Sequence, residues 1–199
     1  MLSPPPDRDA GEPAAAVPLA DRPPFTRTLA LVGLMGAGKS AVGKRLAKAL
    51  DVPFEDADDL IVQAAGMSIS DIFERYGEPQ FRDLERRVVA RVLEGPPVVL
   101  ALGGGAFIDP GTRAEIKRKA LSVWLRADLE TLVARTGRKK GTRPLLNQGD
   151  PREVLAGLIE RRYPIYAEAD RVVDTAEQAA ETVVDAIVAI LRDEARGQP

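Results

Sequence analysis

One eight-residue segment constrains this 199-residue chain more than any other. Residues 33–40 read Gly-Leu-Met-Gly-Ala-Gly-Lys-Ser and match the pattern G-x-x-x-x-G-K-[ST] at every position. Glycines let successive backbone N–H groups of such a loop point at phosphate oxygens, and the next helix presents its positive N-terminal end to the same ligand. The segment therefore predicts a strand–loop–helix unit that binds nucleotide phosphates.

The flanking sequence fits that unit. Residues 28–32 form an apolar run typical of a buried parallel strand, and residues 41–50 carry apolar side chains at helical spacing. In this setting the lysine reaches the β- and γ-phosphates of ATP and the serine hydroxyl ligates Mg²⁺. The alternative is a glycine-rich turn without a ligand, which the context disfavours. The expected nucleotide-binding residues of the loop are Gly36, Ala37, Gly38, Lys39, Ser40 and Ala41.

The amino-acid composition limits which side chains can act as general bases or metal ligands. The chain has no cysteine, which excludes disulfides and thiolate metal sites, and no histidine, which removes the commonest general base. Proton transfer must therefore fall to Asp, Glu, Lys, Tyr or an Arg-assisted water. The net charge of −2 provides no global attraction to nucleic acid or anionic lipid, and no apolar run approaches the ~20 residues of a membrane span. We expect neither nucleic acid nor membrane as a partner.

Strand-like and helix-like segments alternate along the chain, which predicts a parallel sheet covered by helices on both faces. The expected fold class is α/β, a three-layer α/β/α P-loop NTPase fold with a mobile lid. We expect a Pro/Ala-rich, disordered N-terminal tail over residues 1–25, a folded domain over 26–192 with the lid at about 136–149, and a C-terminal tail over 193–199. Particular expectations are a second strand at 52–54, separate helices at 69–76 and 81–93, a short helix at 110–119, a helix over 154–166 interrupted at Pro164, a last strand at 171–174 and a closing helix over 179–191.

Ligands of parallel α/β sheets bind at the carboxyl ends of the strands. Three segments are expected to meet there: the phosphate loop, the acidic residues 55–59 and the triple glycine 103–105. The acidic cluster allows two interpretations. Asp58 or Asp59 could cap the next helix, or carboxylates of the cluster could hold metal-bound water or a substrate hydroxyl. The phosphate loop upstream favours the second.

Three consecutive glycines are costly in backbone entropy, so we expect a ligand against their bare backbone; the alternative is a tight turn. Arg82 and Arg162 are candidate ligand-binding cations near the expected cleft. Arg143 lies in an aperiodic basic stretch that could fold over the nucleotide as a lid. The basic run 138–140 could instead contact nucleic acid, but it is shorter than such a patch requires.

Taken in order, these segments resemble the shikimate kinase family over residues 29–191, nearly the whole folded part. The marks of the resemblance are the phosphate loop, Asp56-Ala57-Asp58, Ile69-Ser70-Asp71-Ile72-Phe73, Gly77-Glu78 before Phe81-Arg82, Leu102-Gly103-Gly104-Gly105-Ala106, Thr142-Arg143-Pro144-Leu145-Leu146 and Arg162-Tyr163-Pro164-Ile165-Tyr166. The resemblance implies a nucleoside-monophosphate-kinase-like fold. It also implies transfer of the γ-phosphoryl of ATP to the 3-hydroxyl of shikimate, in the pathway to chorismate and aromatic amino acids.

The resemblance also implies residue roles. Asp58 would hold the reacting hydroxyl and help take its proton, while Lys39 and Arg143 would stabilise charge on the transferring group. Asp56 would hold Mg²⁺ through water beside Ser40, and Arg135 would stack on adenine. The implied shikimate-binding residues are Asp58, Arg82, Gly103, Gly104, Gly105 and Arg162, of which Arg82 and Arg162 would grip the carboxylate.

Two rival functions remain at this point. One is another small-molecule kinase of the same fold, such as a gluconate kinase; the other is a nucleotide-dependent switch without turnover. The triple glycine and the two arginines favour shikimate only through the resemblance. No apolar surface stripe stands out, so a monomer is the default expectation. A cytoplasmic location follows from the need for ATP and from the lack of an export signal in the expected tail.

Overall fold

The computed structural model of the protein describes residues 22–137, 150–176 and 178–196. Within these ranges the strands are β1 (Thr28–Val32), β2 (Phe54–Asp56), β3 (Val99–Ala101), β4 (Ala120–Arg126) and β5 (Arg171–Asp174). The helices are α1 (Lys39–Leu50), α2 (Ala57–Ala65), α3 (Ile69–Glu94), α4 (Pro110–Lys119), α5 (Leu129–Gly137), α6 (Pro151–Tyr166) and α7 (Ala180–Arg196). The alternation of strands and helices is as expected.

The five strands form one parallel sheet in the order β2-β3-β1-β4-β5. Every residue of β1 and β3 is buried, because helices cover both faces of the sheet centre. This burial explains why both strands read as continuous apolar runs. The order also places β3 between β2 and β1, so the loop after β3 lies between the acidic cluster and the phosphate loop. The predicted α/β fold with a parallel sheet is confirmed.

Several element boundaries differ from the expected ones. Strand β2 lies two residues later than expected and includes the acidic residues Glu55 and Asp56. Helix α3 joins the two segments expected around residue 77, with a non-helical backbone at Gly77 (φ 81°). The interruption expected at Pro164 is wrong, because α6 continues through it to Tyr166. Pro164 has no N–H to donate to the carbonyl of Glu160 and its ring crowds that carbonyl, but only two residues of α6 follow it, so the disturbance is confined to the last turn.

The ends of the described region are more ordered than the expected tails. Phe25 packs against the main hydrophobic core, and Pro23 is buried. Helix α7 continues to Arg196, so residues 193–196, which we assigned to a tail, are helical. Residues 138–149 of the expected lid lie outside the described residues, and the division into domain and tails stays a prediction. Among the described helices, none combines the length and the hydrophobicity needed to cross a membrane.

Candidate active site

The phosphate loop connects β1 to α1 and is shaped by left-handed backbone at two glycines. Gly36 has φ 85°, and Gly38, the residue that caps the N-terminus of α1, has φ 94° and ψ 11°. Residues other than glycine are strained in this backbone conformation because their Cβ atom clashes with the backbone. The Lys39 ammonium lies over the loop and donates to the carbonyl oxygens of Gly33 at 2.8 Å and Leu34 at 3.1 Å. The loop therefore has the backbone shape that phosphate binding requires.

Ser40 and Asp56 meet at the mouth of the phosphate loop. The Ser40 hydroxyl donates to the Asp56 carboxylate at 2.6 Å, and the other oxygen of that carboxylate accepts the Asp58 N–H at 3.1 Å. Asp56 is thus the N-cap of α2, so the alternative in which Asp58 or Asp59 caps that helix is wrong. Asp58 and Asp59 follow the cap by two and three positions and lie in the first turn of the helix.

The Ser40–Asp56 pair also fits a magnesium ion. A hydroxyl and a carboxylate oxygen 2.6 Å apart are hard oxygen donors on neighbouring elements, which is the chemistry that Mg²⁺ prefers. Within the described ranges, no three His, Cys, Asp or Glu side chains are grouped closely enough to form a metal site on their own. A magnesium ion bound here would therefore need water and phosphate oxygens as its other ligands, as is usual for kinase sites.

Asp58 points from the start of α2 toward the triple glycine. The residue as a whole is exposed, but its Oδ1 atom lies only 2.9 Å from the point that a Cβ on Gly103 would occupy. The side of the carboxyl that faces the glycine loop is withdrawn from water, which raises its pKa; the negative charge of Asp56 raises the pKa further, and the Lys39 ammonium opposes both effects. A carboxylate with a raised pKa is a better proton acceptor than an ordinary aspartate.

Arg82 and Glu85 form an ion pair on α3 that faces the same cleft. The Arg82 Nη1 atom lies 2.6 Å from the Glu85 carboxylate, and the guanidinium also pairs with Glu78 at 3.1 Å. The Arg82 Cζ atom lies 5.0 Å from the centre of the Phe81 ring, within range of a cation–π contact. Glu85 is only 2% exposed and its Oε1 atom has no hydrogen-bond partner among the described residues. The pair fixes the position of the guanidinium and leaves one buried carboxylate oxygen unbonded.

The triple glycine is the point at which the candidate site residues converge. A Cβ on Gly103 would lie 2.7 Å from Glu85 Oε1, and a Cβ on Gly105 would collide with the Arg82 guanidinium. The carbonyl of Gly104 accepts a hydrogen bond from Arg162 Nη1 at 2.9 Å. Side chains are absent from this loop because the cleft residues occupy that space. The tight turn, given above as the alternative, is also present: the N–H groups of Ala106 and Ile108 donate to the carbonyls of Gly103 and Gly105.

Arg135 lies on the opposite side of the phosphate loop from the acidic cluster. Its guanidinium donates to the Thr175 carbonyl at 2.7 Å, and its Nη1 atom lies 3.9 Å from the Cβ position of Gly38. This places Arg135 beside the start of α1, as nucleotide contact would require. Arg143, expected to act from the lid, lies outside the described residues.

Sequence reasoning missed Glu85. The structure buries one face of the second half of α3, formed by Phe81, Glu85, Val89 and Leu93 at intervals of one turn. Glu85 is the only charged member of that face, and an acidic residue on an otherwise apolar helix face is rarely buried unless it is paired. This pattern, with Arg82 three residues earlier, is the signal that could have identified it.

Comparisons with known proteins agree with the geometry. The family model described as shikimate kinase matches residues 35–192. A shikimate kinase from Paramagnetospirillum magneticum is 60% identical over 159 residues, which are 79% of this chain and 80% of that protein. A second from Caulobacter vibrioides is 55% identical over 166 residues, 83% of this chain and 82% of that one. The structure of a shikimate kinase from Acinetobacter baumannii in complex with shikimate is similar at a TM-score of 0.81 and 35% identity, covering 85% and 94% of the two chains.

Proposed function

The chain belongs to the shikimate kinase family, and on that premise we propose how its site transfers the γ-phosphoryl of ATP to the 3-hydroxyl of shikimate. One observation carries the proposal: Asp58, Arg82 and Arg162 all border residues 103–105, between the phosphate loop and the acidic strand end. An acceptor alcohol held there lies next to the loop that binds the phosphates. Positioning and charge neutralisation are the main requirements of phosphoryl transfer.

At the nucleotide end, the backbone N–H groups of residues 36–41 would bind the β- and γ-phosphates. Lys39 would move from the loop carbonyls to the γ-phosphate oxygens, and Arg135 would lie against the adenine. We assign Arg143 to the charge that develops on the transferring group. Ser40 would ligate Mg²⁺ directly and Asp56 through water, which is consistent with their hydrogen bond. When bound, the ion neutralises negative charge on the phosphates.

At the acceptor end, Arg82 and Arg162 would bind the shikimate carboxylate with their forked donors. The ring hydroxyls would lie against residues 103–105, and Asp58 would accept a hydrogen bond from the 3-hydroxyl. As the bond from that oxygen to the γ-phosphorus forms, the bond from phosphorus to the ADP oxygen breaks and the hydroxyl proton passes to Asp58.

The remaining parts of the proposal concern the setting of the enzyme. We propose that it acts as a monomer in the cytoplasm, with ATP and shikimate as its small-molecule partners and no nucleic acid or membrane partner. The cytoplasm supplies ATP. The net charge of −2 supplies no global attraction to nucleic acid, and in the described part of the chain surface arginines such as Arg87, Arg118 and Arg152 are paired with acidic residues.

An ADP-release assay with a panel of acceptors tests the activity. Purified protein with ATP and Mg²⁺ is offered shikimate, gluconate and nucleoside monophosphates in turn. We expect ADP release with shikimate and little above background with the others. Release with gluconate instead would favour the rival kinase; the structural similarity to a gluconokinase from Sinorhizobium meliloti, at 20% identity, shows the fold alone. Nucleotide binding without ADP release for any acceptor would favour a switch.

A glycine-to-alanine change tests the convergence at the triple glycine. In Gly105→Ala the new Cβ must displace the Arg82 guanidinium, so we expect the KM for shikimate to rise about tenfold, the loss of roughly one charge-assisted contact. The KM for ATP should change less than about twofold. Steady-state kinetics with each substrate varied measures both.

Gly95→Ala is the matched control. Gly95 is exposed at the end of α3, and a Cβ there would make only ordinary van der Waals contacts, the nearest at 3.4 Å. We expect wild-type kinetics from this variant. An unchanged KM for shikimate in Gly105→Ala would show that the guanidinium need not occupy its observed place.

A further inference from the structure

Tyr166 ends α6 and lies directly beneath the glycine loop. Its side chain is 0% exposed, so it cannot touch a ligand in the cleft. Its hydroxyl donates a hydrogen bond to the carbonyl of Gly104 at 2.5 Å. Burial raises the pKa of the phenol to about 12, so the hydroxyl keeps its proton and remains a donor at any physiological pH. A buried residue is thereby bonded to the backbone of the proposed binding site.

The Gly104 carbonyl receives two donors from one helix. Arg162 Nη1 donates to the same oxygen at 2.9 Å, and Arg162 and Tyr166 are one turn apart on α6. The carbonyl therefore orients both the loop and one arm of the Arg162 guanidinium. With Tyr166 holding the carbonyl, Arg162 can keep its remaining donors directed at an anion in the cleft.

Gly104 also lies close to the phosphate loop. A Cβ at Gly104 would be 3.2 Å from Arg162 Nη1 and 3.8 Å from both the Gly33 carbonyl and the Tyr166 hydroxyl. A rotation of the 104–105 peptide group would therefore change the place of the arginine and the direction of the neighbouring amides. A fixed Gly104 carbonyl therefore maintains the position of the Arg162 guanidinium relative to the phosphate loop.

We propose that Tyr166 is a positioning residue for shikimate: its hydroxyl holds the Gly104 carbonyl, and through it the Arg162 guanidinium and the glycine loop. The inference rests on the proposed function, since it assigns Arg162 to the substrate carboxylate. Tyr166 would act only through Gly104 and Arg162, so its loss should weaken the binding of shikimate and not that of ATP.

Tyr163 provides a matched control within the same helix. Its hydroxyl also donates to a backbone carbonyl, that of Ala127, and its ring contacts Trp124 with centroids 4.8 Å apart. The Tyr166 ring contacts the same tryptophan at 6.1 Å. The two tyrosines thus share helix, neighbour and bond type, but only Tyr166 is bonded to the glycine loop.

The test compares Tyr166→Phe with Tyr163→Phe by steady-state kinetics and thermal unfolding. Each variant keeps its ring and loses one hydroxyl-to-carbonyl bond, so we expect similar small decreases in Tm. For Tyr166→Phe we expect the KM for shikimate to rise about tenfold, the scale of one hydrogen bond. We expect kcat and the KM for ATP to stay within about twofold to threefold. Tyr163→Phe should match the wild type in all three constants.

Amide hydrogen exchange supplies a readout that does not depend on catalysis. The Ala106 N–H is bonded to the Gly103 carbonyl and closes the glycine loop. We expect peptides that contain residues 103–106 to exchange faster in Tyr166→Phe than in the wild type or in Tyr163→Phe. Equal exchange in all three proteins would overturn the inference.

Kinetic outcomes separate this inference from the proposed function. An unchanged shikimate KM in Tyr166→Phe, or an equal rise in both phenylalanine variants, would overturn the role of Tyr166 while wild-type activity stands. A fall in kcat with all KM values unchanged would also contradict a role in substrate positioning. Absence of shikimate phosphorylation in the wild-type protein would instead refute the function on which the inference rests.

Discussion

Replacing Asp58 with asparagine is expected to lower turnover at least ~10²-fold, the usual scale of acid–base assistance, and to leave ATP affinity almost unchanged. The amide keeps the size of the side chain and its place beside Gly103, but it cannot accept the proton of the attacking hydroxyl. It also removes a negative charge that helps to orient that hydroxyl. Single-turnover kinetics measure the loss, and calorimetric titration with ATP and Mg²⁺ measures nucleotide affinity.

Asp59→Asn is the natural control for this variant. Asp58 and Asp59 both lie in the first turn of α2, so each asparagine loses the same favourable interaction with the helix N-terminus. Asp59 is exposed, and we have assigned it no role in the reaction. We expect it to retain turnover within about twofold. Near-normal turnover in Asp58→Asn, or equal losses in both variants, would remove Asp58 from the chemistry.

Replacing Arg82 with alanine is expected to weaken shikimate binding about 10²-fold and to leave ATP binding intact. A guanidinium that binds a carboxylate makes charge-assisted hydrogen bonds, which are about twice as strong as neutral ones. The change also leaves Glu85 buried without its cation, so its negative charge opposes an anionic ligand. Calorimetric titration with each ligand separates the two affinities.

Two further variants isolate the arginine's own contribution. The double variant Arg82→Ala with Glu85→Gln removes the unpaired charge, and we expect it still to bind shikimate at least about tenfold more weakly than the wild type. Arg86→Ala is the control. Arg86 lies one turn after Arg82 on α3, where its side chain is half exposed and pairs with Asp83 and Asp109. This variant should bind both ligands normally. Equal weakening of ATP binding and shikimate binding in Arg82→Ala would count against a role for Arg82 in binding the shikimate carboxylate.

The sequence predicted those parts of the fold that depend on local pattern. β1 and β5 lie where expected: β1 is a continuous apolar run, and β5 is a pair of valines between two helix-like segments of an alternating chain. Helix α4 also has its expected bounds, since Asp109 caps it, Pro110 begins it and a strand follows at once. The order of the strands was not predictable from pattern, because it is set by packing between distant segments.

The sequence identified most residues of the candidate site, but it did not predict which of those residues contact one another. Asp56 was expected beside the magnesium ion and also caps α2, a role that we had considered only for its neighbours. The triple glycine was expected to expose its backbone to a ligand. In the structure it also leaves room for Glu85, Arg82 and Arg162, three side chains that come from two other helices. Such crowding follows from the tertiary structure and cannot be read from spacing.

Glu85 and Tyr166 are missing from the sequence-based site because neither is required to touch a ligand. Each supports a residue that was identified: Glu85 holds Arg82, and Tyr166 shares a carbonyl with Arg162. Glu85 belongs to none of the quoted segments and Tyr166 stands in one of them without an assigned role, because the partners of both side chains are fixed only once the helices pack. A buried acid and a buried phenol beside a polar loop are the structural signs of that role.

Identification of the product decides whether the protein phosphorylates shikimate at its 3-hydroxyl. Wild-type protein is incubated with ATP, Mg²⁺ and shikimate, ADP is quantified, and the product is examined by phosphorus NMR with coupling to the ring protons. We expect one phosphate ester of shikimate for each ADP released, with its phosphorus coupled to the proton on carbon 3 of the shikimate ring. Release of inorganic phosphate with shikimate unchanged, or an ester on a different hydroxyl, would contradict it.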